Sequence, residues 1–141
     1  MFAYGSGSRV PACYYLGQLY EKGQGGLQQS DHSARLYYEE CAQEGDVDSK
    51  LSLALMQIKG GPEFINKEAV GIQSLEELAN QGNQMAMNLL GLEYSKLSIS
   101  DNGVVGFKDK QKAIGWFEMS ANLGNSYAKD ELQRLQDSTM K

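Results

Sequence analysis

Ala113-Ile-Gly-Trp116-Phe117-Glu-Met-Ser120-Ala121-Asn-Leu-Gly124 decides the fold, because the chain carries the same pattern earlier as Ala34-Arg-Leu-Tyr37-Tyr38-Glu-Glu-Cys41-Ala42-Gln-Glu-Gly45. A degenerate copy, Gly71-Ile-Gln-Ser74-Leu75-Glu-Glu-Leu78-Ala79-Asn-Gln-Gly82, stands between them. The closing glycines are 37 and then 42 residues apart. Small and apolar positions fall at i, i+3, i+4, i+7 and i+8, which is one face of an α-helix. A glycine just past such a face suits the left-handed position that ends a helix. Self-similarity at this period is the signature of a repeat architecture.

A second motif runs in step with the first. Ala12-Cys-Tyr-Tyr-Leu16-Gly17-Gln-Leu-Tyr20 recurs as Ala86-Met-Asn-Leu-Leu90-Gly91-Leu-Glu-Tyr94, with Ser49-Lys-Leu-Ser-Leu53-Ala54-Leu-Met-Gln57 between them at an even spacing of 37. Ala128-Lys-Asp-Glu-Leu132 begins a further copy. The spacing predicts first helices over 10–22, 47–59, 84–96 and 126–137, and second helices over 32–44, 67–81 and 110–123. Asn66 and Asp109 stand where N-caps are wanted. No alternation of period two interrupts this pattern, and the five extra residues of the third unit read as an inserted loop within Lys96–Lys108. The chain therefore reads as all-α: about three helix-turn-helix units (10–45, 46–82 and 83–124) in one domain over 10–141, a capping helix over 125–137, and a flexible lead-in over 1–9 containing Gly5-Ser-Gly-Ser.

Composition agrees with one globular domain. Apolar residues make up 41% and charged residues 22%. A net charge of -5 argues against a nucleic-acid partner, which favours a basic face. No apolar run is long enough for a membrane span, and the first residues lack a signal-peptide pattern, so the expected compartment is the cytoplasm. Cys13 and Cys41 are too few for a disulfide framework and lack zinc-site spacing, and read as two small buried thiols.

The repeated residues resemble the Sel-1-like repeat family: Leu16-Gly17-x-x-Tyr20-x-x-Gly23-x-Gly25 in the first unit and Asp109-x-x-Lys112-Ala113-x-x-Trp116-Phe117-x-x-Ser120-Ala121-x-x-Gly124 in the third. The middle unit departs from the pattern, with Ala54, Gln57, Gly71 and Ser74 at its signature positions and the loop Gly60-Gly61-Pro62-Glu63-Phe64. The resemblance implies a right-handed, tetratricopeptide-like superhelix, bacterial origin, and use as an adaptor or scaffold. A single helix pair cannot bury its apolar face alone, so about three units and a polar last helix make a minimal array.

Catalytic chemistry finds little to work with, and no cofactor or metal is called for. His32, the only histidine, lies beside Asp31 and Ser33 at a helix start, which suits capping. Gly23-Gln-Gly25-Gly26 lacks the Lys-Ser/Thr of a phosphate loop and reads as a turn. Glu39-Glu40, Glu76-Glu77 and Asp46/Asp48 read as solvated faces and caps. Tyr37, Tyr38, Trp116 and Phe117 recur at the repeat period and read as core.

A binding surface is the remaining destination. Advancing about 100° per residue puts Tyr14 and Gln18 opposite the repeat face of the first helix; their counterparts are Leu51, Leu55 and Ile58 in unit two and Asn88 and Leu92 in unit three. The resemblance implies that first helices line the concave side, so these seven residues form the candidate groove for a protein or peptide partner. Packing between neighbouring helices is the competing role for its leucines. The inserted loop around Ser98–Gly106 is a second candidate contact. Two other functions stay open. A hydrolase of the cysteine-rich Sel-1-like type, acting on β-lactam-type substrates, would carry cysteines eight residues apart, but Ser49 stands eight after Cys41. The other is self-association as a structural protein.

Overall fold

Gly45, Gly82 and Gly124 adopt φ of +94°, +97° and +93°, each just past the end of a helix, in the left-handed region that costs glycine least. The residue after each begins the next helix: Asp46 accepts from the Ser49 N–H at 2.9 Å, Asn83 from Ala86 at 2.8 Å and Asn125 from Ala128 at 2.9 Å. A Gly-Asp or Gly-Asn pair thus stops one helix and starts another within two residues. The computed structural model describes residues 11–141; the lead-in expected over 1–9 lies outside the described residues. The elements are α1 (Ala12–Lys22), α2 (Asp31–Gln43), α3 (Val47–Lys59), a 3-10 turn (Pro62–Phe64), α4 (Glu68–Asn80), α5 (Gln84–Tyr94), β1 (Leu97–Ile99), β2 (Val105–Phe107), α6 (Lys110–Asn122) and α7 (Ser126–Asp137). The fold is an all-α solenoid of about three helix-turn-helix repeats plus a capping helix.

Two compact units divide the chain, one ending at Ser74 and one starting at Leu75. In the first, α2 packs against α1 and α3, closing a core of Ala34, Tyr38, Met56 and Phe64 with Tyr14, Tyr20 and Leu53 against it. In the second, α6 packs against α5 and α7 around Ala113, Phe117, Ala121, Ala128 and Leu135. The helix glycines explain the rings opposite them. A Cβ on Gly17 would lie 2.6 Å from the Tyr38 ring, and one on Gly91 would lie 2.5 Å from Phe117. Both rings are fully buried, and glycine is what lets each approach the neighbouring backbone this closely.

Three sequence expectations change. The insertion is not a loop: Leu97↔Phe107, Ser98↔Gly106 and Ile99↔Val105 pair as an antiparallel hairpin. Its three-residue turn closes through Gly103 N–H to Ser100 O at 2.9 Å, with Gly103 at φ +82°. Strands of three residues are too short for alternation to register against helical flanks. Asp109 caps α6 through the Lys112 N–H, but Asn66 does not stand next to α4; it occupies the left-handed region at φ 59° in the preceding turn. Cys13 and Cys41 are not free thiols but a disulfide, with Cα atoms 5.8 Å apart. Antiparallel α1 and α2 set the first turn of one beside the last turn of the other, within bridging range.

Candidate functional site

The predicted groove residues separate by unit. In the first, the Gln18 amide donates to the Tyr14 hydroxyl at 3.0 Å, and the Tyr14 ring lies 6.0 Å from Tyr38. Burial, then the nearby Asp48, pushes the Tyr14 hydroxyl above its ordinary pKa. Both Tyr14 and Gln18 are half-buried. Leu51 is buried in α3, while Leu55 on the same helix is 42% exposed. Ile58 is half-buried and packs beside Gly71, where an added Cβ would lie 2.9 Å from its side chain. In the second unit Asn88 is buried, donating to Asn125 Oδ1 at 3.3 Å while its own Oδ1 has no partner. Leu92 is 38% exposed. Leu55 and Leu92 are thus the groove leucines that present surface, and they occupy equivalent positions of α3 and α5.

Catalytic candidates resolve into structural contacts. His32 Nδ1 lies 2.9 Å from Glu63 Oε1, and Arg35 Nε donates to the same oxygen at 2.6 Å. His32 first, then Arg35, holds the Glu63 carboxyl below its usual range. This pair of contacts ties the 3-10 turn to α2. Tyr38 donates to Glu21 at 2.7 Å; burial, and then that carboxylate, keeps its hydroxyl protonated far above the ordinary tyrosine range. Among the described residues no three His, Cys, Asp or Glu side chains gather as a metal site, and no described helix is long and apolar enough to cross a membrane.

One place was not visible in the sequence as a site, and another was expected there as a candidate contact only in the form of an inserted loop around Ser98–Gly106. A cleft of about 570 Å³ beside the disulfide has Pro11, Leu16 and Tyr37 in its walls and Glu40, Glu44 and Asp46 around it. These carboxylates favour a cationic ligand over an anionic one, although Asp46 is already engaged in capping α3. The second place is the hairpin. At its base Glu93, only 6% exposed, meets Lys96 at 2.6 Å and Lys108 at 2.8 Å. Burial alone would raise its pKa, but the two lysines outweigh that and hold the carboxyl below its usual range. From this anchored base the hairpin projects Leu97, Ile99, Val104 and Val105, which are 47 to 70% exposed. The Asp101-Asn102-Gly103 turn between apolar residues was the signal that could have revealed it.

Comparison with known proteins follows the repeats. The Sel1 repeat matches residues 10–46 and 84–125, leaving the degenerate middle unit unmatched. A Sel1 repeat protein from Oxalobacter formigenes is similar at 29% identity and a TM-score of 0.60, covering 93% of this chain and 92% of its own. A protective antigen of uropathogenic Escherichia coli that displays an SLR fold is similar at 27% identity and a TM-score of 0.61, over 87% of this chain. This chain spans only 25% of that antigen's length. No curated protein matches. With both flanking units matched and the helices, glycine caps and ring-on-glycine contacts in place, the chain belongs to the Sel1 repeat family.

Proposed function

We propose that the chain is a non-catalytic module that binds another protein or peptide on its first helices, at Tyr14, Gln18, Leu55 and Ile58 in the first unit and at Leu92 in the second. Sel1 repeat folds are typical of protein-interaction scaffolds. The observation that carries the reading is the pair of equivalent leucines, Leu55 and Leu92, left exposed on helices whose other faces are packed. Single exposed apolar side chains are ordinary and contiguous patches mark contact surfaces, so it is the equivalence of Leu55 and Leu92 from unit to unit that supports the reading. The chemistry of the rest supports the same reading. Both cysteines are joined to each other, and the single histidine is held by Glu63.

The test is capture of partners from the source cells by the unmodified chain and by variants with unchanged helicity. A partner retained by Leu36→Glu, on the exposed side of α2, but lost by Leu55→Glu or Leu92→Glu supports the proposal. Retention by all three variants refutes the placement. The disulfide adds a proposal about compartment. Disulfides persist where the surroundings are oxidising, which supports an oxidising compartment in place of the cytoplasm suggested by the sequence. Thiol titration of protein drawn from its own cells should find no free cysteine; two free thiols would return it to the cytoplasm.

A further inference from the structure

The two edges of the hairpin are treated differently by the rest of the chain. Lys108 N–H donates to Lys96 O at 2.7 Å and Ser100 N–H to Val104 O at 2.9 Å. Bonded pairs therefore fall at 96 and 108, 98 and 106, and 100 and 104. Leu97 and Ile99 aim their N–H and C=O groups away from β2, and Val105 and Phe107 aim theirs away from β1. On the β2 side the chain covers its own edge. Phe107 N–H donates to Lys141 O at 2.8 Å, and Lys110 Nζ holds that segment by the carbonyls of Ser138 and Met140 at 2.9 and 2.8 Å. Gly106 permits the approach, since a Cβ there would lie 2.5 Å from Lys141 O. Among the described residues no backbone group bonds the outward N–H and C=O groups of Leu97 and Ile99 on the β1 edge.

Apart from its shortness, three residues, that open edge lacks the usual protection of an exposed strand. Leu97-Ser98-Ile99-Ser100 carries no charge and no proline, the devices that keep edges from pairing. Leu97 and Ile99, 65% and 70% exposed, share one face with Val105 and Phe107, while Ser98, Gly106 and Val104 face the other way.

We propose that the β1 edge is a docking site for the β1 edge of a second copy of this chain, the two hairpins joining as one four-stranded antiparallel sheet centred on Ser98. The register is self-complementary. With Ser98 facing Ser98, Leu97 of each copy lies opposite Ile99 of the other, and the outward groups of these residues form four reciprocal hydrogen bonds. The apolar faces become continuous. Charge favours this orientation over a parallel one: the stretch carries Lys96, paired with Glu93 but 59% exposed, at one end and Asp101 at the other, and the antiparallel register brings Asp101 of each copy to the Lys96 end of its partner. The contact is small, so the dimer belongs to the weak, concentration-dependent class.

Sedimentation equilibrium tests this at concentrations up to about 1 mM, which reaches the weak class expected of so small a contact. The unmodified chain should shift from monomer to dimer, with Leu97 and Ile99 amides exchanging rapidly when dilute and slowly when concentrated. Ile99→Pro removes an outward N–H without touching the bonds to β2 and should weaken the dimer by about tenfold or more. Leu97→Lys should do the same by placing charge on the edge, and serves as the second variant if proline disturbs the hairpin. Val104→Lys, on the opposite face, should leave association unchanged. A monomer at every concentration overturns the proposal, as does a dimer indifferent to Ile99→Pro and Leu97→Lys, or one weakened equally by Val104→Lys.

Discussion

Gly91→Ala and Gly115→Ala add the same methyl group to helices of the same unit, and the structure assigns them opposite signs. A Cβ on Gly91 would lie 2.5, 2.6 and 2.7 Å from three atoms of the Phe117 ring. Ordinary contact begins at about 3.4 Å, so the ring or α5 must move by almost 1 Å. Phe117 has no free space to move into, being fully buried with Ala113, Ala121, Ala128 and Leu135 around it. Overpacking against a ring with nowhere to move falls in the upper part of the usual range, about 2–3 kcal/mol, against about 1 kcal/mol gained from alanine's helix propensity. Net loss should be about 1–2 kcal/mol, or a melting point lower by roughly 3–6 °C. Gly115 on α6 has nothing within 4 Å of its added Cβ, so only the propensity gain remains and the melting point should rise by about 2–3 °C. Thermal unfolding followed by circular dichroism reads both. A Gly91→Ala protein as stable as the unmodified one would refute the ring-on-glycine account. The double variant Gly91→Ala, Phe117→Leu should recover part of the loss through a favourable coupling between the two sites.

Reduction of Cys13–Cys41 releases a constraint across 28 residues, and urea unfolding with and without reductant should show a loss of about 3–4 kcal/mol. Asn125→Ala removes the α7 cap together with the contacts to Asn88 and Gln84, for a loss of about 1–2 kcal/mol by the same assay; Asn83→Ala, which loses a cap, should cost about 1 kcal/mol. Glu63 has a folded pKa below its ordinary value of 4.5, so its contribution is present above the unfolded pKa and is lost as pH falls through the folded one. The stability difference between the unmodified chain and Glu63→Gln should therefore shrink as pH falls through and below the ordinary carboxyl value of 4.5, and a difference independent of pH would exclude the His32–Glu63–Arg35 contact.

What the sequence revealed and what it hid divide along a physical line. The helices were legible because their pattern is written several times. A face of 3.6-residue period repeated at 37 residues averages out local accidents, and the second helix of the middle unit, α4 (Glu68–Asn80), was recovered from its phase although Gly71 and Ser74 replace the signature residues. The ring-on-glycine pairing was legible only in part. Leu16-Gly17 and Tyr37-Tyr38 were recognised as motifs, but that Gly17 exists to receive the Tyr38 ring is a property of two helices in contact. The disulfide and the Glu93 lysine pair occur once, so comparison of the chain with itself could not find them; the longer third period located the insertion but not its hairpin, and all three join residues brought close by folding. The groove residues show the same limit. Helix geometry gives direction but not depth, and Leu51 and Leu55 on one helix end up buried and exposed. This division bears on function. Positions that repeat, whether packed like Leu90 or exposed like Leu55 and Leu92, carry similar side chains from unit to unit and discriminate poorly between partners. Specificity therefore has to come from features the units do not share, and the hairpin inserted between α5 and α6 is the largest of these.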